Sequence, residues 1–192
     1  MLAGEWVSSN LTNLQRSILD AREDRALLCR SLAIRHSSPV VSITLRIPGP
    51  VKDSPRRRKA VRGALAAMQN VVRNAGMNCS EELFRITAAG PEALLAVHAD
   101  PLVLKAKCIA LEEGLPWGPV LDIDVLVMKC TGMEPLHREA VGAGPRACLA
   151  CNNPAFVCMA ERRHSLEDLV GAADHCLALV YAQASEQEAC NA

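Results

Sequence analysis

The stretch VSITLRIPGPVKDS, residues 41–54, decides the fold. Val41, Ile43, Leu45 and Ile47 alternate strictly with Ser42, Thr44 and Arg46, the period of a strand with one buried face. Pro48, Gly49 and Pro50 end it. Ser54 then offers an N-cap with Pro55 at the first helical position. Val61, Ala64, Leu65, Met68, Val71 and Val72 recur at helical spacing until Gly76 supplies a stop. Towards the C-terminus, ELFRITA and EALLAVHA flank Gly90-Pro91 and predict a hairpin. Residues 101–114 predict a helix closed by Gly114, and LDIDVLVM at 121–128 predicts the last strand.

The order from 40 to 128 is β-α-β-β-α-β. It predicts an α+β fold with a ferredoxin-like antiparallel sheet and both helices on one face. Towards the N-terminus, residues 10–35 predict an added helix with an apolar stripe of Leu14, Ile18, Leu27, Leu28, Leu32 and Ile34. Residues 131–146 read as a loop, and Ser165 with Asp168 makes a capping box for a final helix. The polar tail from Ser185 is expected to fray. The chain is thus expected to be one domain over 1–192: an N-terminal helix in 1–39, the α+β core in 40–130, and a Cys/His loop with a C-terminal helix in 131–192.

Composition narrows the function. The 192 residues are half apolar, with zero formal net charge, which excludes a disordered chain and does not call for nucleic acid or an anionic membrane as partner. Two Trp, one Tyr and two Phe are too few for a base-stacking platform. No secretory signal is evident, and no stretch approaches the ~18 apolar residues of a membrane span. A soluble cytoplasmic protein is expected. Its nine cysteines are then thiols, metal ligands or small core residues. Cys29, Cys79, Cys108, Cys130, Cys176 and Cys190 are expected to be filler of the core kind.

Three constellations carry chemistry. In DIDV, Asp122 and Asp124 are two apart on a strand and share a face, opposite Ile123 and Val125. They are candidate Mg²⁺ ligands for phosphoryl or nucleotidyl transfer, or else two solvated acids on an open sheet face. If strand 41–47 is the neighbour, Ser42, Thr44 and Arg46 join them, and Arg46 offsets charge on a leaving group. The second constellation is PGPVKDSPRRRK, where Lys52 and Ser54 feed a helix N-terminus and arginines follow at once. It suggests a bound phosphate or acidic partner through Lys52, Ser54 and Arg56, or a solvated basic surface, the better reading for Arg57 or Arg58 singly. The third is RACLACNNPAFVCMAERRH, with the spacing C-x2-C-x6-C-x5-H. Cys148, Cys151, Cys158 and His164 suit a closed structural zinc site that anchors the final helix, or thiols packing a small loop core. A redox pair would instead open a helix.

The pieces ILDAREDR, VSITLRIPGPVKDS, AAGPEALL, GPVLDIDVL and RACLACNNPAFVCMAERRHSLEDL follow one another over almost the whole chain. On them together the chain resembles the citrate lyase holo-acyl-carrier-protein synthases, the CitX type of phosphoribosyl-dephospho-CoA transferase. The resemblance implies a triphosphoribosyl-dephospho-CoA donor and, as acceptor, a serine of the citrate lyase acyl-carrier (gamma) subunit. The serine attacks the α-phosphate and pyrophosphate leaves. Asp122 and Asp124 with Mg²⁺ fit that chemistry, as do Arg46 and phosphate contacts from Lys52, Ser54, Arg56, Arg146 and Arg162. The chain departs from the family pattern at Cys29, where Gln is usual, at Pro119 and at Ala160, where Arg is usual. The alternatives are a zinc-stabilised adaptor that binds a carrier protein, or a transferase for the malonate decarboxylase carrier. A 4′-phosphopantetheinyl transferase would need a W/F-S-x-K-E signature that the chain lacks.

Overall fold

The computed structural model describes residues 11–190. Helix α1 (Asn13–His36) leads into strand β1 (Val40–Leu45), helix α2 (Pro55–Asn74), strands β2 (Asn78–Thr87) and β3 (Gly90–His98), helix α3 (Pro101–Gly114) and strand β4 (Leu121–Lys129). Strand β5 (Gly132–Pro135), a short helix α4 (Ala155–Ala160) and a long helix α5 (Leu166–Cys190) complete the chain. Short 3-10 turns at Gly118–Val120 and Arg138–Val141 join α3 to β4 and follow β5. The strands form one sheet in the order β2-β3-β1-β4-β5, each antiparallel to its neighbour.

The alternation of β1 sets its two faces. Val41 and Ile43 join Leu95, Ile123 and Val125 under Val61, Ala64 and Met68 of α2, Leu104 and Cys108 of α3, and Ala173, Leu177 and Val180 of α5. The opposite face was expected to stay open. Instead α1 crosses it, packing Cys29, Leu32 and Ala33 on Val40 and Leu94. Ser42 is consequently buried as well. The face of α1 that is covered is Ala21, Cys29, Leu32 and Ala33; of the stripe expected from sequence, Leu32 is buried and Ile18 and Leu28 are half-buried, while Leu14, Leu27 and Ile34 are exposed. The end of the face near Asp122, Asp124 and Thr44 stays half exposed.

Three local expectations change. The β2–β3 turn is Ala88-Ala89, with Gly90 already paired in β3. Residues 132–135, read as loop, pair with β4 across a turn at Cys130 and Thr131, so Cys130 is exposed rather than core. Helix α5 continues through Cys190 instead of fraying from Ser185; the Ala- and Glu-containing sequence ASEQEAC favours helix over its full length.

Strand β5 covers only residues 126–129 of β4, so the outer edge of 121–125 lacks a strand. Side chains of α3 take its place. Ile123 N–H donates to Glu112 Oε1 at 2.7 Å, and Lys105 Nζ donates to Ile123 O at 3.2 Å. These bonds satisfy backbone groups that burial would otherwise orphan.

Candidate active site

Beyond β1 the chain turns through 47–54 and presents Arg46 and Lys52 to one cavity. Gly90 has φ +109°, and a Cβ there would lie 2.7 Å from the Lys52 carbonyl oxygen. Glycine is what lets the loop press against β3. Lys52 Nζ donates to Ile47 O at 2.6 Å. Burial holds its pKa below the usual lysine range, helped by Arg22 and Arg57 nearby. Arg22 comes from α1. One turn on, Arg25 fastens that helix to the sheet by bonding Glu92 Oε2 at 3.2 Å, and the buried Glu92 also accepts from Arg85 Nε at 2.9 Å. Arg162 follows α4 in the left-handed conformation, φ 49°.

Arg22, Arg46, Lys52 and Arg162 line this cavity of about 600 Å³, with Leu45, Ile47, Pro48, Leu149, Met159 and Leu169 as its apolar wall. No Asp or Glu among the described residues lines it. Four cations converging without a carboxylate are suited by charge to a polyanion, and the apolar wall to an apolar part of it.

The neighbouring β4 edge is the reverse. Asp122 and Asp124 lie opposite Thr44 and Ser42 in the β1–β4 register. Arg146 Nη1 donates to Asp122 Oδ1, and Arg146 Nη2 reaches Glu112 Oε1 at 2.5 Å. Arg138 Nη1 holds Glu112 Oε2 at 2.8 Å. Lys105, 2% exposed, sits 3.6 Å from Asp124 Oδ1. Burial raises the carboxyl pKa of Glu112, against the pull of Arg146 and of the Ile123 N–H. Burial and the Asp122 charge raise that of Asp124, against Lys105. Asp124, Lys105, Arg146, His137, Phe156 and Met159 line a second opening of about 420 Å³.

Arg46 borders both openings. Its Nε donates to Pro119 O at 2.6 Å and its Nη2 to Ala147 O at 2.9 Å. Burial and Arg146 lower its pKa. The Pro119 carbonyl is placed by Gly118, where a Cβ would lie 1.7 Å from Glu112 O.

Ala147 opens the cysteine segment. It bridges to Pro154, and Cys148 N–H donates to Asn153 O at 2.8 Å, closing a small knuckle around Cys151. Helix α4 then carries Cys158, and the turn after it returns His164. One donor atom from each of Cys148, Cys151, Cys158 and His164 lies within 4.8 Å of the others. Cys151 Sγ is 3.5 Å from Cys158 Sγ and 3.3 Å from His164 Nε2. Tetrahedral zinc with Zn–S bonds of about 2.3 Å sets sulfurs about 3.8 Å apart, so the donor set fits such an ion. Hydrogen bonding from the Asn153 backbone lowers the Cys151 thiol to about 6, while burial raises Cys158 to about 11.

Among the residues singled out from sequence, Arg46, Lys52 and Arg162 share the first cavity, together with Cys148, Cys158 and His164. Asp122, Asp124 and Arg146 meet at the β4 edge. Ser54 and Arg56 are not brought to either opening: they line a separate cleft with Asp174 and Leu177, and Ser54 caps α2 by accepting from Arg57 N–H at 3.3 Å. Arg57 is buried rather than solvated, bonded to Val51 O and 3.8 Å from Asp174. Arg58 is paired with Asp53 at 2.9 Å. Cys29 sits in the α1 core and Cys108 under the sheet, as filler. Sequence reasoning left Arg22, Lys105, Glu112 and Arg138 without a role. Arg22 lay in the quoted ILDAREDR motif. Lys105, Cys108 and Glu112 are spaced as one helical stripe, so charges on an apolar stripe were the available signal.

A cation-lined cavity beside a charged strand edge is chemically suited to a polyanionic ligand. The family model described as apo-citrate lyase phosphoribosyl-dephospho-CoA transferase matches residues 14–178. A protein of Streptococcus pyogenes serotype M18 (strain MGAS8232) named "Probable apo-citrate lyase phosphoribosyl-dephospho-CoA transferase" is 37% identical over 155 residues, 79% of each chain. Proteins named apo-citrate lyase phosphoribosyl-dephospho-CoA transferase from Escherichia coli O139:H28 and Escherichia coli O1:K1 are 34% identical over 153 residues and 32% over 169. Those matches cover 80% and 88% of this chain and 82% and 90% of theirs. The chain belongs to the CitX family.

Proposed function

We propose that this protein transfers the phosphoribosyl-dephospho-CoA group from 2′-(5″-triphosphoribosyl)-3′-dephospho-CoA to a serine of the apo citrate lyase acyl-carrier subunit. The serine hydroxyl gives up its proton to solvent as its oxygen forms a bond to the α-phosphorus. The bond from that phosphorus to the β-phosphate oxygen breaks, and pyrophosphate leaves. The observation that carries this reading, in a member of this family, is the cavity where Arg22, Arg46, Lys52 and Arg162 converge without a carboxylate. The donor's triphosphate supplies the missing negative charge, and the apolar wall suits the rest of the donor.

Arg46 borders the cavity and the acid edge, so the α-phosphorus lies beside it and the carrier serine enters past Asp124, Phe156 and Met159. Phe156 and Met159 are 61% and 76% exposed, an apolar rim for the arriving carrier. Asp122 and Asp124 engage Arg146 and Lys105 through Oδ1, and the two carboxylates would hold Mg²⁺. When bound, Mg²⁺ supplies a counter-charge for the triphosphate. Fixed in place by two carbonyls, Arg46 needs no reorganisation as charge builds on the leaving pyrophosphate. Among the described residues no helix is long and apolar enough to cross a membrane, and the reading assigns the work to the cytoplasm, where the carrier is made.

The test is the intact mass of the purified apo carrier after incubation with donor, Mg²⁺ and this protein. The mass should rise by the donor less pyrophosphate, with one pyrophosphate released per carrier. An unchanged citrate lyase carrier overturns the reading, and a shift on the malonate decarboxylase carrier alone reassigns the acceptor.

A further inference from the structure

The cysteine segment was expected to act on stability before chemistry, as an anchor for the last helix. It also borders the cavity. Cys148, Cys158 and His164 line the same cavity as the four cations. Two of those cations depend on the segment. Arg46 Nη2 donates to the carbonyl of Ala147, the residue before Cys148, at 2.9 Å. Arg162 lies between Cys158 and His164 in a left-handed conformation, φ 49°, which a non-glycine residue adopts only when its surroundings impose it. The following residue, Arg163, donates its N–H to Cys158 O at 3.1 Å, closing the turn.

We propose that Cys148, Cys151, Cys158 and His164 bind one zinc ion, and that this ion sets the position of Arg46 and Arg162 for a polyphosphate. The proposal rests on the assignment of the cavity to the donor's phosphates. The four donor atoms, within 4.8 Å of one another, come from the knuckle, from α4 and from the turn before α5. The knuckle, the six-residue α4 and the turn closed by Arg163 bring the four donors together, and Cys151 touches Cys158 and His164 through its thiol. With the ion bound, the Ala147 carbonyl and the Arg162 backbone are fixed relative to each other, and the two guanidinium groups are pre-organised. With all four positions filled by protein, the ion would have no open site for the donor or the reacting atoms.

The experiment uses the full chain purified without chelator, with inorganic tripolyphosphate as the probe. Zinc is measured by elemental analysis before and after titration, and probe affinity by calorimetry. Wild type should hold about one zinc per chain. Cys151→Ser should hold little, keep its helical circular dichroism, and bind the probe at least ~10-fold more weakly, the scale of a lost second layer around a metal site. Arg162→Ala should keep its zinc and lose probe affinity. Should Cys151→Ser fail to fold, wild type stripped by chelator and then reloaded replaces it, and affinity should fall and return. The proposal is overturned by wild type without zinc, by a Cys151–Cys158 disulfide in its place, or by zinc-free folded protein that binds the probe normally. Loss of all secondary structure on stripping also overturns it, since the ion would then support the whole chain. Zinc-dependent probe binding with no transfer to the carrier would sink the transferase reading and leave this one standing.

Discussion

Two regions meet at Arg46 and treat charge in opposite ways. Along the β4 edge Asp122, Asp124 and Glu112 each have a cation: Arg146, Lys105, and Arg146 with Arg138. In the cavity beside it, none of Arg22, Arg46, Lys52 and Arg162 is paired with a described carboxylate. On the edge one carboxylate oxygen each of Asp122 and Asp124 is compensated within the protein, which fixes those side chains. Arg22, Lys52 and Arg162 have no such partner among the described residues, and a bound anion offsets their charge. Under the proposed function the donor's phosphates occupy the cavity, and the edge aligns the groups that face its reacting end.

The largest expected effect is at the junction. Arg46→Ala should lower the transfer rate ~10²- to 10³-fold, the scale of one lost electrostatic transition-state contact. Single-turnover kinetics on the carrier would measure it, and a near wild-type rate would separate the two regions into unrelated sites. Asp122→Asn or Asp124→Asn should cost at least ~10²-fold in rate. Asp124→Asn should in addition lower stability in urea, because Lys105 is 2% exposed and would keep a buried charge with less compensation. Equal stability of the two variants would contradict that assignment.

Glu112→Gln sharpens the scaffold side. It withdraws charge from Arg146 and Arg138 at a buried position, and should destabilise by about 3 kcal/mol. A thermal midpoint within a degree of wild type would show the network to be dispensable. A smaller effect concerns pH. The Lys52 pKa is below its ordinary 10.5, and a polyanion binds its protonated form. Donor affinity should therefore fall as pH rises, beginning below pH 10.5, as Lys52 loses its proton. Lys52→Arg should flatten this part of the profile, since arginine does not titrate there. Any titration of the donor itself is common to both proteins and cancels. An identical profile in the variant would remove Lys52 from the site.

The fold was legible where one period governs many residues. Alternation in 41–47, helical spacing in 55–74 and the D-x-D strand all carry through, because burial on one face leaves no other register. What was hidden is long-range compensation. Nothing near Asp122 announces Arg146, and nothing near Ile123 announces Glu112 and Lys105 from the preceding helix. Arg57 read as surface because its carbonyl partner at Val51 and its acid at Asp174 are set only by the fold. Gly90 read as a turn residue, and its use is the close approach of the Lys52 loop. The cysteine spacing was legible as a ligand set, while its place in the wall of the cavity depended on where α4 docks.

The most direct test compares the two regions in one calorimetric measurement of donor affinity. Arg22→Ala with Lys52→Ala, both in the cavity, should weaken binding of triphosphoribosyl-dephospho-CoA by ~10²-fold or more, two charge-assisted contacts at ~1.5–3 kcal/mol each. Glu112→Gln, at the edge, should leave it within about twofold, as expected of a group that does not contact the ligand. Unchanged affinity in the cavity variant, or a loss in the edge variant as large as in the cavity variant, would contradict the placement of the donor.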